Sequence, residues 1–163
     1  MDPDAVGHFA AAEEQHLLRY AYLVARSQDD ARDLVQTAFA RMLSVSGHID
    51  DPPSYARRII LNEVRRQARR TVSHSSSSPM HHEHDGHEVA VVEQDAMWRA
   101  LGTLPTRQRA VLVLRYYESL DDAMIAKVLR CRRSTVRSLA ARGLRTLRLK
   151  SHIGRANSTS IET

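Results

Sequence analysis

One cysteine in 163 residues leaves no partner for an internal disulfide. That excludes the small disulfide-stapled scaffolds, and a lone Cys131 suits a reducing compartment. Aromatic residues make up only 5% of the chain, which argues against a sheet sandwich and for aliphatic helix packing. Five prolines and six glycines interrupt little of it. No apolar run approaches the roughly 18 to 20 residues of a membrane span, so no membrane insertion is expected. The opening MDPDAVGHFAAAEEQ is polar and acidic rather than basic and then apolar, so no signal peptide is expected and the expected location is cytoplasmic. In that compartment the Asn157-Ser158-Thr159 sequon has no meaning. Also missing are a glycine-rich phosphate loop, a carboxylate pair placed for acid–base work, and a histidine near Cys131 in sequence. On these grounds the chain is not expected to be an enzyme or to carry a cofactor.

What is present is alanine, leucine and arginine, with 42% hydrophobic residues. This composition predicts an all-α protein able to bury a core. The net charge of +5 conceals an uneven distribution. Residues 1–70 are neutral, 71–95 carry −5 with no Lys or Arg, and 96–150 carry +10. A surplus of that size on a short stretch is the electrostatic footprint of a nucleic-acid binder. The predicted organisation is two small helical domains, 1–70 and 96–150, a flexible linker over 71–95, and a polar, frayed tail over 151–163.

Hydrophobic periodicity places a first helix at about 9–26, with Leu17, Tyr20, Ala21 and Val24 inward. After a turn whose acidic end can cap it, a second runs over about 30–45. It buries Ala31, Leu34, Val35, Ala38, Phe39 and Met42 and leaves Asp33, Gln36, Thr37 and Arg41 outside. Gly47 and the Pro52-Pro53 pair then break the pattern until Ser54. A third helix over about 54–70 buries Ala56, Ile59, Ile60 and Val64. Its outer face is expected to carry Arg57, Arg58, Asn62, Arg65, Arg66, Arg69 and Arg70, with Glu63 the only acid, a stripe suited to a phosphate backbone. In the linker, His74, His81, His82, His84 and His87 lie among serines and acids. Such tracts can bind transition metals, but nothing fixes their geometry, and no metal site is expected. A fourth helix over about 94–101 contains Trp98 as a core anchor, and a fifth buries Val111, Leu112 and Leu114.

The segment Asp121–Leu147, DDAMIAKVLRCRRSTVRSLAARGLRTL, reads as two helices joined by a tight turn. Ile125, Ala126 and Leu129 face inward from the first, and Val136, Ala140, Leu144 and Leu147 from the second. Arg132, Arg133, Ser134, Thr135, Arg137, Ser138 and Arg142 then point outward from the second helix. A helix-turn-helix reads a major groove with that part of its second helix. The residues alone equally allow a surface helix with a solvated basic face.

Stretches in the first and second halves of the chain, in order, resemble a known family. Asp30–Phe39 (DARDLVQTAF) is similar to AEDLVQETF, Tyr55–Asn62 (YARRIILN) to WLYRIARN, and Leu104–Arg109 (LPTRQR) to LPxRQR. Ile125–Leu129 followed by Ser134–Ser138 resembles IAEVLG…GTVKSRL. The chain thus resembles the extracytoplasmic-function group of bacterial RNA polymerase sigma factors over about residues 9–149. The resemblance implies that Asp33, Gln36, Thr37 and Arg41 dock on the clamp helices of the polymerase's largest subunit, with the flap as a further contact. It implies that the third helix recognises and melts the −10 element, with His48, Asp50 and Asp51 at a pocket for a flipped-out base. It further implies that the helix-turn-helix reads the −35 element and that an anti-sigma factor is a possible partner. The chain departs from the pattern at Arg130 and Ser134, where glycines are usual, at Leu139 in place of arginine, and at Asp122 and Met124. The alternative is a helix-turn-helix regulator that is not a polymerase subunit, such as a LuxR-type effector domain; it would need neither the docking motif nor the arginine stripe.

Overall fold

A computed structural model describes residues 3–73 and 97–158, with side chains over 3–70 and 97–149. Among the described residues there are helices and turns and no strand. The chain divides into two compact units.

The first unit holds α1 (Pro3–Ala25), α2 (Gln28–Leu43) and α3 (Pro52–Ser73). Each of the three packs on the other two. Leu17, Tyr20, Ala21 and Val24 from α1 meet the buried stripe Ala31, Leu34, Val35, Ala38 and Met42 of α2 in one aliphatic core. Phe9 and Phe39 stack edge to face, ring centroids 6.2 Å apart. Tyr20 is fully buried, and its hydroxyl donates to the Arg57 carbonyl of α3 at 3.5 Å. Only two residues separate α1 from α2. Arg26 takes a left-handed conformation (φ 62°), and its N–H returns to the Tyr22 carbonyl at 2.8 Å, which ends α1. Ser27 then caps α2, its Oγ accepting from Asp30 N–H at 3.2 Å. The cap is thus the serine; Asp29 and Asp30 lie inside the first turn, where a negative charge complements the helix dipole.

The proline pair does not delay α3. Asp51 Oδ1 accepts from Ser54 N–H at 3.1 Å, so Asp51 acts as the cap and Pro52 and Pro53 fill the first turn. Helical N–H groups there have no carbonyl partner, so proline costs little and its fixed φ favours the start. At the other end α3 extends to Ser73, taking the first residues expected in the linker. The rest of that linker, with all five of its histidines, lies outside the described residues.

In the second unit residues 97–102 are helical, and Thr103 Oγ1 donates to the Ala100 carbonyl at 2.7 Å where they end. Residues 94–96 of the expected fourth helix lie outside the described residues, and Trp98 is half-buried rather than a core anchor. Leu101 and Leu104 are buried instead. Next come α4 (Thr106–Leu112), which widens into a π turn over Val113–Tyr117, then α5 (Asp122–Leu129) and α6 (Arg133–Ser158). Val111, Leu112, Val113 and Leu114 form a continuous buried run.

Helix α6 buries Val136, Leu139, Ala140 and Gly143 against α4. At Gly143 the helices approach so closely that an added Cβ would lie 3.0 Å from Leu112 Cδ1. This shifts the inward stripe from the expected one. Leu144 and Leu147 are half-buried, while Leu139 is buried three residues beyond Val136, so it is a core residue and not a missing polar contact. Helix α6 also continues to Ser158, through most of the segment expected to fray.

The turn between α5 and α6 is made by Arg130 at φ 47°. Arg130 N–H bonds to the Lys127 carbonyl at 3.4 Å and Cys131 N–H to the Ala126 carbonyl at 3.1 Å, the paired bonds of a Schellman ending. A side chain with a Cβ pays about 1 kcal/mol for this left-handed conformation. Arg130→Gly is therefore expected to raise stability by roughly 0.5–1 kcal/mol. Urea unfolding checks this, and a lower midpoint for the glycine variant would contradict it.

Candidate nucleic-acid interface

Successive helix residues are 100° apart, so Arg58, Asn62, Arg65, Arg66 and Arg69 share about a third of the α3 circumference. Asn62, Arg66 and Arg69 are exposed, and Arg58 and Arg65 are half-buried. Arg58 lies over the Tyr55 ring, 4.8 Å from its centroid, which steadies a long side chain at the start of the stripe. Arg70 is exposed at the margin of the same surface.

Two residues expected on the outer face are not there. Arg57 is only 7% exposed, shares a side with Ile60, Leu61 and Val64, and faces Glu13 of α1 across 3.9 Å. Its burial and its carboxylate partner remove it from the phosphate-binding set. Glu63 is 5% exposed and sits between two guanidinium groups, Arg41 of α2 and Arg66 of α3, the latter at 2.7 Å. A buried carboxylate is tolerated because one hydrogen-bonded cation, Arg41, and a second ion-paired one, Arg66, replace its lost water. The pairing also changes the reading of Arg41, which braces α2 on α3 besides reaching the surface.

On α2, Asp33 and Gln36 are exposed and Thr37 half-buried. Asp29, Arg32, Asp33, Gln36, Ala40 and Leu43 form one solvent-facing strip, and Leu43 remains 48% exposed for so apolar a residue. Leu43 lies outside the docking set expected from the sequence, although its place seven residues beyond Gln36 puts it on the same strip. Leu34, Val35 and Phe39 are all spent on the unit's own core.

The loop between α2 and α3 is anchored by buried Ile49 and turns at Gly47 (φ 131°). His48 and Asp50 are exposed and face each other, Nε2 to Oδ1, at 3.8 Å. Asp51 is half-buried and engaged in capping α3, so its role here is structural whatever else it contacts.

In the helix-turn-helix, Arg132, Arg133, Ser134, Arg137, Ser138 and Arg142 are exposed and Thr135 half-buried. The Arg132 carbonyl accepts from Thr135 N–H at 2.9 Å and Val136 N–H at 3.2 Å, which starts α6. Ser138 Oγ donates to the Ser134 carbonyl at 3.0 Å, and Arg142 Nε to the Ser138 carbonyl at 3.2 Å. Asp121 caps α5, its Oδ1 accepting from Met124 N–H at 2.8 Å. Asp122 bonds through Oδ1 to Arg115 and through Oδ2 to Arg137 Nε at 3.1 Å. Partial desolvation opposes its ionisation, but the hydrogen bonds and charges of Arg115 and Arg137 outweigh this and hold its carboxyl below the usual carboxylate range. Among the described residues no cluster of side chains suits a metal ion, and no helix is long and apolar enough to cross a membrane.

These two helical units, one with an arginine-striped helix and one with a basic helix-turn-helix, define a DNA-binding transcription protein. Residues 9–73 match the Sigma-70 region 2 model and residues 94–147 the Sigma-70, region 4 model, together well over half of the chain. The chain belongs to the sigma-70 family. It is 29% identical over 149 residues to the RNA polymerase sigma-E factor of Streptomyces coelicolor, covering 86% of this chain and 82% of that protein. Two solved structures share its fold, each at 22% identity and TM-score 0.69. One is the sigma factor RpoE of Bartonella quintana, in complex with the anti-sigma factor NepR, covering 86% of this chain and 92% of that one. The other is CnrH, in complex with the cytosolic domain of CnrY, covering 93% and 90%.

The Arg41–Glu63–Arg66 group is predicted to brace the first unit. Replacing Glu63 with alanine removes a charge-assisted hydrogen bond from Arg41 and an ion pair with Arg66, and is expected to cost about 2 kcal/mol. Arg66→Ala, which leaves Arg41 on the same carboxylate, should cost less. Thermal unfolding of both variants checks the order; an equal, near-zero effect would mean the group is ornamental.

Proposed function

We infer that this chain is a sigma factor of the extracytoplasmic-function type that binds core RNA polymerase and directs it to promoters. The observation that carries the reading is the occurrence of the region 2 and region 4 matches in order on one chain, each with a basic helical face. A regulator acting outside the polymerase would need only the second. The chemistry is binding, not catalysis, and the cytoplasm is where polymerase and promoter are found.

Residues 1–70 form the unit that holds polymerase and opens DNA. On α2, Asp33, Gln36 and Thr37 offer hydrogen-bonding groups to the clamp helices of the largest subunit, and exposed Leu43 adds apolar contact on the same strip. On α3, Arg58, Arg65, Arg66 and Arg69 neutralise phosphates, while Asn62 offers a donor and an acceptor to a base edge. His48 and Asp50 line the loop that would receive a flipped base, whose extrusion the contacts made there must offset. Residues 96–150 form the −35 unit. Thr135, Arg137 and Ser138 face base edges, and Arg132, Arg133 and Arg142 hold phosphates, with Ser134 at the helix start. The residues after Ser73, up to 95, connect the two, and the flap is the polymerase contact of the second unit. The likeness to RpoE, solved with the anti-sigma factor NepR, supports a protein partner of that kind here.

Co-purification with core polymerase and run-off transcription on a genomic fragment library test the function directly. Core-dependent, promoter-specific transcripts are expected, and binding to duplex DNA with no affinity for core would favour the regulator instead. Within the −35 unit, Arg137→Ala should relax sequence preference and Arg142→Ala should weaken all duplexes alike. Equal losses for Arg137→Ala on matched and scrambled duplexes would remove its base-reading role.

A further inference from the structure

Arg137 is the exposed arginine that the proposed function assigns to base reading, yet it is not held by its neighbours on α6. Its guanidinium is tied to Asp122, on the other helix of the motif, by Nε–H to Oδ2 at 3.1 Å. Asp122 is itself fixed from behind by Arg115, which bonds Oδ1. The Arg137 side chain is 71% exposed, against 26% for Asp122 and 25% for Arg115. A solvent-facing reader is thus backed by a carboxylate and a second arginine that are largely enclosed.

The chemistry of a guanidinium makes this placement consequential. Five N–H donors lie in one plane, and a bond at Nε fixes that plane. With Nε committed, the Nη pair remains, and that pair can donate together to guanine O6 and N7. An arginine free to rotate loses conformational entropy when it docks and can satisfy itself on phosphate or on other acceptors. A braced one loses less and accepts fewer alternatives. A bare carboxylate beside DNA would repel phosphate; between two cations this one need not.

We propose that Asp122 is a positioning residue for −35 recognition, holding Arg137 through Nε so that its Nη edge is presented to a guanine, with Arg115 locking the carboxylate in place. The assignment rests on the reading of the helix-turn-helix as the −35 reader. It makes sequence preference depend on a residue outside the recognition helix.

The test uses the full-length chain and a duplex that the wild-type chain selects from a randomised pool, with its set of single-base-pair variants. Arg137→Ala first locates the base pair that Arg137 reads. At that base pair, Asp122→Asn is expected to reduce discrimination by about five- to tenfold, a part of what a full arginine–guanine pair supplies. Affinity for the variant duplexes should hold or rise, because a negative charge has been removed. Replacing the guanine with 7-deazaguanine should weaken wild type more than Asp122→Asn, a difference that a merely structural role would not create. In the Arg137→Ala background Asp122→Asn should change discrimination no further. Arg115→Gln provides a second variant should Asp122→Asn disturb α5, and it should show the same loss in smaller measure.

Equal changes on matched and variant duplexes, or an Asp122→Asn effect that persists without Arg137, would overturn the proposal. So would tighter binding to every duplex with discrimination intact, which would make Asp122 a brake. If Arg137→Ala leaves discrimination whole, the positioning role falls with it. Core-dependent run-off transcription would still stand, so that failure is distinguishable from failure of the sigma-factor reading.

Discussion

In each unit one carboxylate holds two arginines that come from different elements. Glu63 joins Arg41 of α2 to Arg66 of α3, and Asp122 joins Arg115 of the π turn to Arg137 of α6. A protein that must present many cations to a polyanion faces their mutual repulsion before the ligand arrives. Uniform pairing with acids would relieve that repulsion and destroy the binding surface. Here a few enclosed acids are placed where they fix the geometry, while Arg69, Arg132, Arg133 and Arg142 remain on the surface.

The two carboxylates differ in burial, and so in role. Glu63 is enclosed by the packing of α2 on α3, and its loss would leave two helices without their polar brace. Asp122 is a quarter exposed, in the first turn of a short helix, where its worth lies in orientation more than in stability. The first therefore ties two helices together, and the second, on the proposed reading, orients Arg137. Helix endings serve both: Asp51 with Pro52 and Pro53 starts the striped helix, and the left-handed Arg130 sets the direction of α6.

Much of this was legible in the chain. Apolar spacing placed a helix at each described one, though α1 begins at Pro3 rather than near residue 9, and the charge surplus after residue 96 marked the helix-turn-helix unit. The misses have physical causes. Arg57 lies a 100° step from Arg58, and Ile60, Leu61 and Val64 define its side as the core. Glu63 carries a charge that suggests the outer face, but Ile60 and Ile59 stand three and four residues before it and its side is buried. The Pro52-Pro53 pair reads as a breaker until the cap at Asp51 places it in a first helical turn, where proline is tolerated. Leu139 departs from the family pattern because its spacing from Val136 puts it in the core. The bonds of Asp122 depend on how α4, α5 and α6 meet, which no local spacing reveals.

The proposed function divides the labour, with α3 assigned to the −10 element and α6 to the −35 element of one promoter. A DNA-cleaving reagent tethered to a single cysteine in holoenzyme tests it most directly. One variant would carry Gln67→Cys on α3, the other Ala141→Cys on α6, both with Cys131 replaced by serine. Cuts around the −10 element from the first and around the −35 element from the second, on the same promoter, are expected. Cuts at one shared position, or none near −10 from α3, would contradict it.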